Sequence, residues 1–171
     1  MLAINYDYET CLQVLDPELD ANNWLLPELM RDAATFSNTD TINGNDNRNI
    51  IDALTNTYGP EPKHTWCYYF QRADLARQQE NWTRVASLGD EAFTIGDYPN
   101  GPSERIPFIE GYAHIAEWDR AYELSQNTYQ ISALMAKSLC PLWQRIEENT
   151  EDSPEKDEVI SQVYLELGCN P

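Results

Sequence analysis

Two tryptophans, Trp82 and Trp118, stand 36 residues apart, and each has a carboxylate eight residues ahead of it: Asp74 before the first, Glu110 before the second. Phe70 and Ile106 lie twelve residues ahead of the same anchors, and Gln78 and His114 lie four ahead. Positions spaced by four share one face of a helix. Where two equivalent helices stack side by side, Asp74 and Glu110 come into one acidic stripe, bracketed by Phe70 and Ile106 on one side and by Gln78 and His114 on the other. A carboxylate stripe in the groove of a helical array suits a basic or polar extended ligand. The competing reading is that both carboxylates are solvated, or paired with Arg77 and Arg105, since charges on a helix face are mostly surface.

Other constellations are weaker. His64, Cys67, His114 and Cys140 are zinc-binding residue types, and His64 and Cys67 have usable ligand spacing on one helix. The other two come from remote helices without a supporting motif, so buried thiols and a hydrogen-bonded histidine explain the set better. Asn43-Gly44-Asn45-Asp46-Asn47 has the composition of a calcium loop, but Thr39 stands where the EF-hand frame requires Asp, and a turn accounts for it. Glu104, Glu110 and Glu117 would supply a carboxylate pair for glycoside hydrolysis, in a chain whose 29 acidic residues make such spacings common by chance. The tryptophans at 66, 82, 118 and 143 offer rings for sugar stacking, while their helical spacing places them in a core. Asn81-Trp82-Thr83 is a formal glycosylation sequon at a helix entrance. No GxSxG, HExxH or phosphate-cradling glycine-rich loop occurs. These patterns call for no catalytic residue, no metal and no cofactor.

The elements that would position the stripe repeat with the tryptophans. Asn81-Trp82-Thr83-Arg84-Val85-Ala86-Ser87-Leu88 aligns with Glu117-Trp118-Asp119-Arg120-Ala121-Tyr122-Glu123-Leu124. Trp, Arg, a small apolar residue and Leu recur in register. The period is close to that of tetratricopeptide repeats, each a helix, a short turn and a second helix opened by an aromatic residue. The first hairpin is expected from His64 to Gln79 and from Trp82 onward, with Val85, Leu88, Ala92 and Phe93 inward. Asp97 to Pro102 is a turn, with Ser103 as a candidate helix cap. The second hairpin carries Phe108, Ile109, Tyr112 and Ile115, then a helix from Trp118 to about Asn127. A fifth helical pattern runs through Leu139, Leu142, Trp143 and Ile146, where Pro141 should kink or split it. Ser153-Pro154 opens a last helix that stops at Gly168.

The expected organisation is one mainly α domain over 1–171: a short β element at 1–20, a helix and loop at 25–58, two helical-hairpin repeats at 59–127, and capping helices at 131–171. In the N-terminal part, Ala3 to Tyr8 and Cys11 to Leu15 read as two short strands. Leu26, Leu29, Met30, Ala33 and Phe36 read as one helix face.

The net charge of −18 disfavours nucleic acid and anionic membrane surfaces. Apolar content of 42% with five Trp and ten Tyr argues for a folded core. No apolar run is long enough to span a bilayer, and the N-terminus lacks a signal-peptide pattern. Cys11, Cys67, Cys140 and Cys169 form no CxxC pair. In an oxidising compartment three pairings are open; buried free thiols are the alternative.

GPEPKHTWCYYFQRADLARQQENWTRVASLGDEAF at 59–93, PFIEGYAHIAEWDRAYEL at 107–124, LCPLW at 139–143 and CLQVLDPELD at 11–20 resemble the C-terminal soluble portion of large polytopic membrane proteins of cyanobacteria and Chloroflexi. Those proteins look like lipid-linked-sugar glycosyltransferases. The resemblance covers most of 8–147 and departs at Pro141 and beyond 150. It implies a non-catalytic, extracytoplasmic interaction or scaffolding domain, with catalysis in a membrane part that this sequence does not contain. The implied partner is a protein or peptide, or the membrane portion of the same parent protein. The alternative is a module that binds carbohydrate or lipid-linked sugar and presents it to the enzyme. The oxidising side of the membrane makes disulfides among Cys11, Cys67 and Cys140 the expectation, with Cys67–Cys140 as the first pairing; a chain without disulfides would be cytoplasmic.

Overall fold

A computed structural model describes residues 1–42, 54–60 and 63–169 of the chain; the calcium-loop candidate at 43–47 lies outside them. At the N-terminus two short strands, β1 (Ile4–Asn5) and β2 (Gln13–Val14), pair antiparallel with Ile4 opposite Val14. The Asp16-Pro17 step then turns the chain into α1 (Pro17–Asp20): proline suits the first helical position, and the Asp16 carboxylate accepts from Glu18 N and Leu19 N. Helix α2 (Glu28–Ala34) follows. Ala3, Leu15, Leu26 and Ala34 close a small core between sheet and helix. Leu29 and Phe36, expected inward, are 76% and 70% exposed. So short a helix on so narrow a sheet buries only the side that carries Ala34, with Leu26 just ahead of it.

The body of the fold is helical. Helices α3 (Trp66–Gln78) and α4 (Trp82–Ala92) form a first hairpin, and α5 (Ile106–His114) and α6 (Trp118–Ile131) a second. The two inter-helix turns are built alike. Glu80 and Ala116, each two residues before its tryptophan, adopt left-handed φ values of 54° and 60°. The following amides, Asn81 N and Glu117 N, reach back to Ala76 O and Tyr112 O at 2.8 and 2.9 Å, a Schellman-type closure that satisfies the last carbonyls of each helix. The sequence repeat is therefore a repeat of backbone geometry.

Helices α7 (Ala136–Asn149) and α8 (Pro154–Leu167) pack on each other as a third hairpin rather than as separate caps. An inner layer of α3, α5 and α7 lies against an outer layer of α4, α6 and α8. Trp66, Phe108, Tyr112, Leu139, Trp143 and Ile146 fill the core between them. Helices α4 and α5 approach closely because Gly89 and Gly111 face each other's helix: a Cβ on Gly111 would overlap the Val85 side chain, and one on Gly89 would sit 2.5 Å from Tyr112 Oη. Helix α7 continues through Pro141 instead of splitting; only the bond to the Lys137 carbonyl is lost, in a helix held by Leu139, Leu142, Trp143 and Ile146. Ser103 lies within a 3-10 turn, Pro102–Arg105, and does not cap a helix. Ser153 does cap α8, and Gly168 ends it at φ 69°. Phe93, expected inward, is exposed, with its edge on Trp66 and Phe108. No helix among the described residues is long and apolar enough to cross a membrane.

The disulfides are Cys11–Cys67 and Cys140–Cys169, not Cys67–Cys140. Helix α5 stands between α3 and α7, which keeps Cys67 and Cys140 apart. Cys67, in the first turn of α3, meets the N-terminal segment; Cys140 meets Cys169, just past the Gly168 that ends α8.

Candidate functional site

All six residues of the sequence-predicted groove lie on the inner layer, but the groove is neither open nor a free acidic stripe. Asp74 and Glu110 are 2% and 1% exposed. Helix α3 places Arg77 one turn beyond Asp74, where Arg77 Nη2 donates to Asp74 Oδ1 at 2.7 Å, and Arg77 Nη1 lies 3.6 Å from Glu110 Oε2. From α7, Arg145 holds Glu110 with both ends of its fork, Nε to Oε1 at 2.7 Å and Nη2 to Oε2 at 2.9 Å. The arginine partners are thus Arg77 and Arg145; Arg105 takes no part. Buried carboxylates persist here because each has a cation in contact.

Asp20, on α1, adds a third buried carboxylate next to this network. It accepts from Asp16 N at 2.9 Å, Gln13 Nε2 at 3.3 Å and Asn23 Nδ2 at 3.2 Å. Burial raises the Asp74 pKa to about 6, against the lowering effect of Arg77 and with a further push from Asp20.

The N-terminal segment lies across this face. Gln78 Nε2 donates to Val14 O at 2.8 Å, and Cys11 N donates to the buried carboxylate of Glu104 at 2.9 Å. Glu104 also accepts from Asn100 N. Trp24 Nε1 donates to Ser138 Oγ at 2.7 Å, with Lys137 over its ring. Phe70 is buried and Ile106 half-buried; together with Asp74 they border a cleft of 370 Å³ beneath the segment.

A larger cleft of 660 Å³ opens where α3, α5 and α7 end. Gln78, Glu80, His114 and Asn149 come from those C-terminal ends, and Asp16, Glu18 and Asp40 from the N-terminal segment. Helix C-termini carry partial negative charge, so three of them reinforce the carboxylates of the rim. Trp82 is half-buried in the wall, stacked on His114 at 3.7 Å; burial lowers the His114 pKa and keeps the ring neutral near pH 7.

The remaining candidates are spent elsewhere. Cys67 and Cys140 are in separate disulfides, and His64 stacks on Tyr68, so the zinc set does not assemble; among the described residues no cluster of His, Cys, Asp or Glu could hold a metal. Glu104 binds main-chain amides, Glu110 binds arginines, and Glu117 pairs with Arg120. Trp66, Trp118 and Trp143 are core, the last donating to Ser125 Oγ at 2.9 Å. Asn81 of the sequon caps α4. The sequence patterns give no site role to Arg145, Asp20, Asp16 or Glu80. Only Arg145 had a signal: it stands 35 residues beyond Glu110, about one repeat length on. Comparison of the chain with protein-family models, curated proteins and solved structures gives no match.

Proposed function

We propose that this chain is a non-catalytic interaction and scaffolding domain, a short tetratricopeptide-like array on the extracytoplasmic side of a bacterial membrane glycosyltransferase-like protein, and that its working surface is the acidic cleft at the helix ends. The convergence of three helix C-termini with Asp16, Glu18, Asp40 and Glu80 carries the reading. The two arginines in the wall are already matched by Asp74 and Glu110, which leaves the field of the cleft negative. A cationic extended segment fits that field, from a partner protein or from the membrane portion of the parent. The repeated turn geometry at Glu80 and Ala116 supports the tetratricopeptide-like architecture. Two disulfides support an oxidising compartment.

Fluorescence anisotropy of a labelled oligolysine peptide tests this. Saturable binding that weakens with salt and is lost in a Glu18→Gln/Asp40→Asn/Glu80→Gln variant is expected. Binding untouched by those substitutions, or none to the native protein, sinks the cleft as the site. The carbohydrate-binding alternative is favoured by half-buried Trp82 among the polar groups of the same cleft. It predicts that neutral oligosaccharides, and not oligolysine, shift the tryptophan fluorescence.

A further inference from the structure

We propose that the inner face of α3, α5 and α7 is a second binding surface, for an extended peptide segment, and that residues 1–42 occupy it in cis as a strap latched by the Cys11–Cys67 disulfide. The inference rests on the interaction-domain reading but concerns the face beneath the strap, which itself supplies Asp16, Glu18 and Asp40 to the acidic cleft, and a different ligand.

Three observations carry it. First, beside the Trp24 contact with Ser138 and Lys137, the body holds the strap by its main chain. Gln78 donates to the Val14 carbonyl and Glu104 accepts from the Cys11 amide, one donor and one acceptor on the array aimed at backbone groups three residues apart. This is how a groove holds an extended segment without reading most of its side chains. Second, the strap has its own small core of Ala3, Leu15, Leu26 and Ala34, and of its apolar residues Cys11 and Leu25 reach the core of the hairpins. Its departure therefore uncovers that core at one edge and leaves the packing between the helix layers in place. Third, the seam is loosely filled, since clefts of 660 and 370 Å³ lie along it. Against that loose seam stands one covalent tie, joining strap and body across 56 residues of sequence.

The latch opens by thiol–disulfide exchange with a dithiol, either a protein dithiol or dithiothreitol. The dithiol is oxidised to its disulfide, and two electrons and two protons pass to Cys11 and Cys67, which become thiols. The freed strap then competes with an extended segment in trans for Gln78 and Glu104. Tethering makes the strap's effective concentration high, so the latched protein excludes the competitor.

The test compares the native chain with a Cys11→Ser/Cys67→Ser variant that keeps Cys140–Cys169. Amide hydrogen exchange is followed by mass spectrometry, and binding of a labelled peptide of residues 8–20 carrying Cys11→Ser by anisotropy. In the variant, amides of residues 3–15 should exchange about tenfold faster or more while those of α3 to α8 stay protected. The peptide should bind the variant and not the latched protein. A Cys140→Ser/Cys169→Ser variant keeps the latch and should exclude the peptide as the native protein does. The proposal is overturned if the helices lose protection together with the strap, which would make the strap an integral part of the fold. It is equally overturned if strap exchange is unchanged, or if the unlatched variant excludes the peptide. Oligolysine binding is scored on the latched native protein and its Glu18→Gln/Asp40→Asn/Glu80→Gln variant, where the strap still lines the 660 Å³ cleft, so either reading can fail alone. Gln78→Leu with the disulfide intact gives a second check: it should speed exchange at residues 13–15 and leave the helices alone.

Discussion

Glu110→Gln should be among the most costly isosteric changes in the protein. Glu110 of α5 bonds to both flanking inner helices: two hydrogen bonds to Arg145 of α7 at 2.7 and 2.9 Å, and an ion pair with Arg77 of α3 at 3.6 Å. Gln keeps the shape and removes the charge. Arg77, 5% exposed, would be left with Asp74 as its ion-pair partner among the described residues, and Arg145 would lose both of its bonds to the Glu110 carboxylate. Breaking a buried pair by deleting one partner costs roughly 3–5 kcal/mol. The Arg145 side chain is one-third exposed and regains some hydration, so a value near the lower end, about 3 kcal/mol, is expected. With a urea m-value of about 2 kcal/mol/M, the midpoint should fall by about 1–2 M. The assay is urea unfolding followed by far-UV circular dichroism with disulfides intact. Glu117→Gln is the internal control: its pair with Arg120 is more than 40% exposed on both sides and should be worth less than about 1 kcal/mol. Equal losses in the two variants would refute the claim that the buried network clamps the inner layer. Replacing both Glu110 and Arg145 by Met should recover much of the loss, because it leaves fewer unpaired charges behind.

Further outcomes follow from other sites. Ala116→Gly should raise stability by about 1 kcal/mol, because Ala116 holds φ 60° where a Cβ is penalised; thermal unfolding measures it, and a fall in Tm contradicts the turn geometry. Gly111→Ala should destabilise by roughly 1–3 kcal/mol through overlap with Val85, again read as Tm. Asp74 has a folded pKa of about 6, above its ordinary 3.8. Its protonated form is therefore favoured in the fold, and the stability it contributes is present in full below about 3.8 and is lost as pH rises through about 6. Asp74→Asn should flatten the urea midpoint against pH across that window; an unchanged profile would show that Asp74 does not titrate there. Peptide mapping of unreduced protein should recover Cys11–Cys67 and Cys140–Cys169, and a Cys67–Cys140 peptide would overturn the order of the inner helices.

The two hairpins, their shared turn and the capping of α8 could be read from residue order, because each rests on interactions within a few positions: helical spacing of apolar residues, Trp82 and Trp118 in register, Ser153 before Pro154. Alignment on those tryptophans also brought Phe70, Asp74, Gln78, Ile106, Glu110 and His114 to one layer, since equivalent residues of stacked repeats face the same way. Local order is silent on what lies against that layer. That Arg145 reaches Glu110, that Asp20 and the Cys11 to Val14 stretch cover the inner face, and that Cys67 meets Cys11 while α5 keeps it from Cys140 are contacts between segments remote in sequence. An acidic stripe becomes a buried ion network, and a groove becomes a covered seam, only when the chain folds back on itself. Charge and helical period specify which side chains share a face, whereas burial and partnership depend on distances that only tertiary packing sets.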